Sequence, residues 1–325
     1  MFNKTVWDKA LTDRSRIQLL MFFTLLAATV VSALAADRSQ IVVDDTREFP
    51  ESITSTKAGA VFFGSITKGI IYRAAPGSST AEPWIKPETG NLKNVLGVFA
   101  DERAKILWVC SLVRAPEMPQ DTSLKAFALG SGAFKASYSF PGGKGVCNDI
   151  AVAKDGTVYV TETGEGKILR LKRGAKDLEV WSSDPLLASA DGIALLADGS
   201  VYANGVRTGY FVKVPVRPDG SAGQAMKIET SRPLVRPDGM RSVGPNTILL
   251  AEGEGRVDEV TVNGEKAEIK VLKGDFKDGP TAVTLVGGIA FVSEAKLNYL
   301  NDEKLKGQDP GPFHATAVPY QPSKQ

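Results

Sequence analysis

A single pattern recurs six times along this chain, and that repetition limits the possible folds more than any other feature. Each copy has an apolar stretch, a tight turn, a second apolar stretch ending in a small or acidic residue, a glycine, and a third stretch. The copies begin with SITSTKAGAVFFGSITKGIIYR (Ser52–Arg73), VLGVFADERAKILWVCS (Val95–Ser111), NDIAVAKDGTVYVTETGEGKILRL (Asn148–Leu171) and DGIALLADGSVYANGVRTGYFVKV (Asp191–Val214). DGMRSVGPNTILLAEGEGRVDEVTV (Asp238–Val262) and TAVTLVGGIAFVSEAKLNYL (Thr281–Leu300) complete the set. Copies start roughly 43 to 53 residues apart, the period of propeller blades rather than of short solenoid repeats.

The stretches are too short for helices, rich in Val, Ile, Tyr and Phe, and bounded by turn residues. Asp155-Gly156 and Asp198-Gly199 read as hairpin turns, whose central residues need positive φ. The expected fold is therefore all-β, a six-bladed β-propeller with four-stranded antiparallel blades around a central channel. Radial repetition of that kind leaves only short edges exposed. WIKP (Trp84–Pro87) and LEVW (Leu178–Trp181) are candidates for outermost strands, and IVVD (Ile41–Asp44) or FHATAVP (Phe313–Pro319) for ring closure.

Residues 1–35 are set apart from the fold. Lys4, Lys9, Arg14 and Arg16 precede an apolar run from Ile17 to Leu34 that ends Ala33-Leu34-Ala35, which describes a secretory signal peptide. The rival reading is an uncleaved anchor, because the run approaches bilayer-spanning length. The expectation is a periplasmic or secreted protein, associated with a membrane only if the segment stays uncleaved. Residues 36–325 then form one domain, a monomer, with a Pro-rich tail from about residue 301.

Composition removes several chemistries. The 39 basic and 37 acidic residues are scattered, which leaves no footprint for nucleic acid. His314, the chain's one histidine, lies in the expected tail, so a Ser-His-Asp triad, a His-rich zinc site or an imidazole proton shuttle cannot form in the core. GEGK (Gly164–Lys167) sits in a hairpin and not before a helix, so it is no phosphate loop. Carboxylates, amides, hydroxyls or a hard metal must carry any catalysis.

In a propeller the starts of the innermost strands converge on one end of the channel. Here those starts bring Glu51, the region of Leu96, Asn148, Asp191, Asp238 and Thr281, with Pro50, Pro237 and Pro280 immediately before three of them. Proline suits a strand start, where no ladder N–H is needed. Three carboxylates and an amide oxygen on one axis would repel unless a hard cation sat among them, and Ca²⁺ tolerates such mixed oxygen geometry. Asp191-Gly192 and Asp238-Gly239 also read as hairpin turns, although their place ahead of the first strand argues against it.

FPESIT with Glu51, CNDIAV with Asn148, ADGIAL with Asp191, RPDGMR with Asp238 and GPTAVTLVGGIAFVSEAKL carry a resemblance across Pro50 to Leu300. With these segments the chain resembles the senescence-marker-protein/gluconolactonase family, which includes luciferin-regenerating enzyme. The resemblance implies a six-bladed propeller with a divalent metal, usually Ca²⁺ though another divalent cation would serve, held by Glu51, Asn148, Asp191 and Asp238. Asp191 departs from the pattern, since the family usually has Asn there. The implied activity is hydrolysis of a small lactone or ester, with Asp238 as base or nucleophile and Asp191 as its alternate. The competing readings are a non-catalytic, NHL-like binding propeller and a metal-free enzyme of the strictosidine-synthase type.

Three lesser expectations concern the surroundings. Strand alternation sends Asp149 to the face opposite Asn148, as a structural residue. Glu162, Glu252 and Glu294, which end second strands, read as solvated rim acids. Cys110 and Cys147 lie on neighbouring blades at one end, where they form either a disulfide or two buried thiols.

Overall fold

The computed structural model describes residues 38–323, residue 116 excepted. The expected signal segment lies outside the described residues. Among the described residues the protein is nearly all-β: its helical pieces are two single turns, Pro141–Gly143 and Pro185–Leu187, and the four-residue Asn298–Asn301. No helix among them is long and apolar enough to cross a membrane.

The strands form five curled sheets of eight, four, four, five and four strands. The third repeat shows the local logic. Cys147–Val152 pairs antiparallel with Val158–Glu162, which pairs with Lys167–Leu171, which pairs with Glu179–Ser182. The first two strands join at the expected place, with Gly156 at φ 90° and Gly199 at φ 78° in the fourth repeat, but Asp155 and Asp198 do not take the positive φ that the expected turn needs at both central residues. Both outer-strand candidates are strands, Trp84 within Thr80–Ile85 and Val180-Trp181 within Glu179–Ser182.

The eight-stranded sheet closes the structure. Pro280–Val286, Ile289–Glu294 and Phe313–Pro319 follow one another antiparallel. Gln40–Val43 then pairs antiparallel with Phe313–Pro319 on one side and parallel with Thr80–Ile85 on the other. Both closure candidates therefore take part, at successive positions. The Pro-rich segment expected to be a tail instead contributes an interior strand, Phe313–Pro319, which is paired on both edges and has Phe313 and Ala315 fully buried. This stretch is one of the two closure candidates, and the alternation of buried Phe313 and Ala315 with half-buried His314 and Thr316 suits a strand.

The innermost strands, Ile53–Ser55, Asn94–Asp101, Cys147–Val152, Ala190–Leu195, Pro237–Ser242 and Pro280–Val286, touch in that order, and the last returns to the first. Apolar side chains fill the spaces between adjacent sheets. Phe62, Ile71, Val98 and Leu107 bury between the first and second repeats, and Tyr202, Met240 and Leu250 between the fourth and fifth. Each such side chain stabilises the fold by about 1.5–3 kcal/mol relative to exposure.

Cys110 and Cys147 form a disulfide with Cα atoms 5.2 Å apart, joining the second repeat to the third. The bridge resolves the choice left open by the sequence.

Candidate metal centre

The repeats aim their polar residues inward through a shared irregularity. In the third repeat Cys147 pairs with Glu162 but Ile150 pairs with Val160, so the inner strand holds one residue more than its partner. The same shift falls between Ala190 and Ile193, and between Pro237 and Met240. Such bulges redirect side chains and gather near functional sites. The bulged residues are Asn148-Asp149, Asp191-Gly192 and Asp238-Gly239.

The glycines in these pairs make room rather than turns. A Cβ on Gly192 would lie 2.3 Å from the Asp238 carbonyl oxygen, and one on Gly239 would lie 2.8 Å from that of Thr281. Adjacent inner strands pass too closely there for any side chain. The alternative reading of both pairs as hairpin turns is thereby set aside.

Carboxylate oxygens of Glu51, Asp191 and Asp238 all lie within 4.8 Å of one another. Glu51 and Asp191 are buried, while Asp238 keeps partial exposure. Asn148 joins them, its Nδ2 donating to Asp191 Oδ2 at 2.8 Å and to Thr163 Oγ1 at 3.0 Å. All four residues expected at the axis are thus brought together. Thr281 is buried at the next inner strand, its hydroxyl without a hydrogen-bond partner among the described residues.

The cluster is short of positive charge. Among the described residues no Lys, Arg or His pairs with Glu51, Asp191 or Asp238. Burial, then the charges of Asp191 and Asp149, hold the Glu51 carboxyl well above its ordinary range, with Arg241 opposing. Burial and neighbouring Asp238 raise Asp191, and burial and neighbouring Glu51 raise Asp238. Asp191 Oδ1 is buried with no hydrogen-bond partner. An orphaned carboxylate oxygen facing two other carboxylates is the donor set of a hard cation, so these residues fit a divalent metal. A second acid group, Asp278, Glu294 and His314, is equally compact, but it contains His314 at 3.1 Å from Glu294 and Lys296 at 3.5 Å from Asp278.

Three neighbours escaped the sequence reading. Arg241 donates from NH1 to both Asp149 oxygens at 2.8 Å, and from NH2 to the Val98 carbonyl at 3.0 Å and the Ile53 carbonyl at 3.4 Å. Asp149 therefore points inward, because the bulge breaks strict alternation, and its role is the expected structural one. Asn204 accepts from Gly192 N–H at 3.2 Å and donates to the Asp238 carbonyl at 2.6 Å, tying two ligand-bearing strands. Thr163 passes its hydroxyl hydrogen to the Ala190 carbonyl at 2.7 Å, beside Asp191. Asn204 and Thr163 stand at or just beyond the ends of second strands, the one signal that could have flagged them.

The solved structures most like this one include a gluconolactonase from Xanthomonas campestris, with 14% identity and a TM-score of 0.62 over 87% of this chain and 93% of that one. The calcium-binding protein regucalcin from Agrobacterium tumefaciens matches at 14% identity and a TM-score of 0.60, over 87% and 95%. This chain has the fold of the gluconolactonase and regucalcin group. The resemblance read from the five motifs is borne out at that level. The allergen Mala s 1 of Malassezia sympodialis shares the fold as well, at 16% identity and a TM-score of 0.67 over 86% and 96%. No protein-family profile and no curated protein matches the chain.

Proposed function

We propose that this protein is a divalent-cation-dependent hydrolase of a small lactone or ester, built as a six-bladed β-propeller with four-stranded blades. In this reading the eight-stranded sheet is the first and last blades joined through Gln40–Val43. The observation that carries the proposal is the trio of Asp238 with the buried Glu51 and Asp191, their carboxylate oxygens within 4.8 Å and lacking any cationic partner among the described residues. Likeness in fold to a gluconolactonase and to a calcium-binding protein supports the choices of substrate class and of Ca²⁺.

Glu51, Asp191 and Asp238 would hold the metal, with the Asn148 amide oxygen as a further donor. Both Asn148 N–H groups are committed to Thr163 and Asp191, which turns that oxygen away from them. The bound ion would supply Lewis-acid polarisation of a substrate carbonyl and stabilise developing negative charge. Asp238 is the base: its Oδ1 accepts from Gly239 N–H at 2.9 Å, and its partial exposure leaves the carboxylate reachable by water. A carboxylate base matters here because Ca²⁺ acidifies water far less than Zn²⁺ does. Asp191, fixed by Asn148, serves mainly as ligand. The Arg241–Asp149 pair spans the strands below the trio, so substrate and water approach from the ligand end.

Export to an oxidising compartment belongs to the same reading, supported by the Cys110–Cys147 bridge. The test is a panel of lactones, aryl esters and organophosphates assayed with EDTA and with Ca²⁺ restored. Activity lost in EDTA and regained with Ca²⁺ supports the proposal. Activity indifferent to EDTA would point to a metal-free enzyme, and no activity on the whole panel to a binding propeller.

A further inference from the structure

Glu162, Glu252 and Glu294 were expected to be solvated acids on the rim, but they are 4%, 0% and 5% exposed. Each occupies the same place in its repeat. Glu162 lies opposite Cys147 in the strand register, Glu252 opposite Pro237, and Glu294 opposite Pro280. Two of the carboxylates, Glu162 and Glu252, accept a backbone N–H from the segment leading into that inner strand. Glu162 holds Val146 at 2.8 Å and Glu252 holds Val235 at 2.5 Å, whereas Glu294 accepts from Thr316 Oγ1 at 2.6 Å and faces His314 Nε2 at 3.1 Å. The residue after each register partner is Asn148, Asp238 or Thr281.

Glu162 makes the fullest clamp. Its Oε1 also accepts from Gly164 N–H at 2.9 Å and its Oε2 from Glu165 N–H at 2.8 Å, so one carboxylate ties both ends of the loop pair. Glu252 adds Arg232 at 2.5 Å and Arg256 at 3.3 Å. Hydrogen bonds to an ionised acceptor are about twice as strong as neutral ones. Repeat four shows what the position does without an acid. Gly205 stands opposite Ala190, and the Ser189 hydroxyl accepts Arg207 N–H at 3.1 Å, as the Glu162 carboxylate accepts Gly164 N–H.

We propose that Glu162 and Glu252 are positioning residues of the metal centre, each clamping the backbone that delivers Asn148 or Asp238 to the axis. The proposal rests on the metal reading of the trio and adds which buried acids set its affinity. Glu294 holds the same register position in a repeat whose inner strand brings no carboxylate or amide to the cluster. It serves as an internal control.

The experiment measures Ca²⁺ affinity by isothermal titration, with thermal unfolding, for the wild type, Glu162→Gln, Glu162→Asp and Glu294→Gln. Loss of a partner behind a metal ligand typically weakens affinity about 10–100-fold. Glu162→Gln is expected in that range and Glu162→Asp below it, whereas Glu294→Gln should stay within about twofold of the wild type. Equal affinities for wild type and Glu162→Gln, or an equal loss in Glu294→Gln, would overturn the proposal. Glu162→Asp keeps the charge and is read in the same way should Glu162→Gln fail to fold. If the wild type takes up no Ca²⁺, the metal reading fails instead. The clamp is then judged by amide hydrogen exchange, which Glu162→Gln must accelerate at Val146, Gly164 and Glu165; unchanged exchange there would overturn it.

Discussion

Reducing the Cys110–Cys147 bridge removes one covalent constraint without changing any side chain's volume. Both sulfurs are fully buried, so the thiols stay packed where the disulfide was. The bridge closes a loop of sequence separation 37. On the chain-entropy account a loop of that size stabilises the fold by about 4 kcal/mol at 25 °C. For a domain of this size about 2 °C of Tm accompanies each kcal/mol, so reduction should lower Tm by roughly 8 °C. The assay is urea and thermal unfolding of oxidised and reduced protein, both in EDTA so that ligand binding does not contribute. Thiol titration of the unfolded, unreduced protein checks the starting state. Two titratable thiols before reduction, or stabilities equal within about 1 kcal/mol, would refute the reasoning.

Asp149→Asn leaves the Arg241 charge unpaired beneath the trio, so it should destabilise the fold by about 3 kcal/mol and weaken Ca²⁺ binding roughly tenfold; denaturant unfolding and titration calorimetry read both effects. Because burial and mutual repulsion raise the carboxyls of Glu51, Asp191 and Asp238, protons compete with the cation. Ca²⁺ affinity should therefore rise with pH, and binding should release protons, measured as a buffer-dependent heat. Glu48, fully buried with neither carboxylate oxygen hydrogen-bonded in the structure, is pushed up to about 7, chiefly by burial. An acid raised in the folded state gives stability that is present below its unfolded value and lost as pH rises toward 7. Glu48→Gln should thus raise Tm relative to the wild type at pH 8 and change it little at pH 4, and a Tm difference independent of pH would exclude this role.

The architecture was legible because each repeat carries its own strand and turn chemistry, and the axial residues because each repeat starts an inner strand with them. Asn148, Asp191 and Asp238 could be found by phase alone, ahead of the first strand rather than between strands. The inward turn of Asp149 could not, since a bulge shifts register by one residue without leaving a compositional mark. The clamp glutamates were misread for a different reason. An acid at a strand end resembles any surface acid until the backbone N–H groups of a sequence-distant segment are seen to surround it. Arg241 was likewise hidden, because its partners come from three other repeats. The closing strand Gln40–Val43 was legible only as one of two candidates, since three apolar residues do not state which edge they join.

Calorimetric titration of Ca²⁺ into metal-stripped protein bears most directly on the axial site. One ion per chain should bind the wild type, with binding abolished in Glu51→Gln and in Asp238→Asn while the β circular-dichroism spectrum of both is retained. A wild type that takes up no divalent cation, or variants that bind it unimpaired, would mean that the three clustered carboxylates keep company for some other purpose.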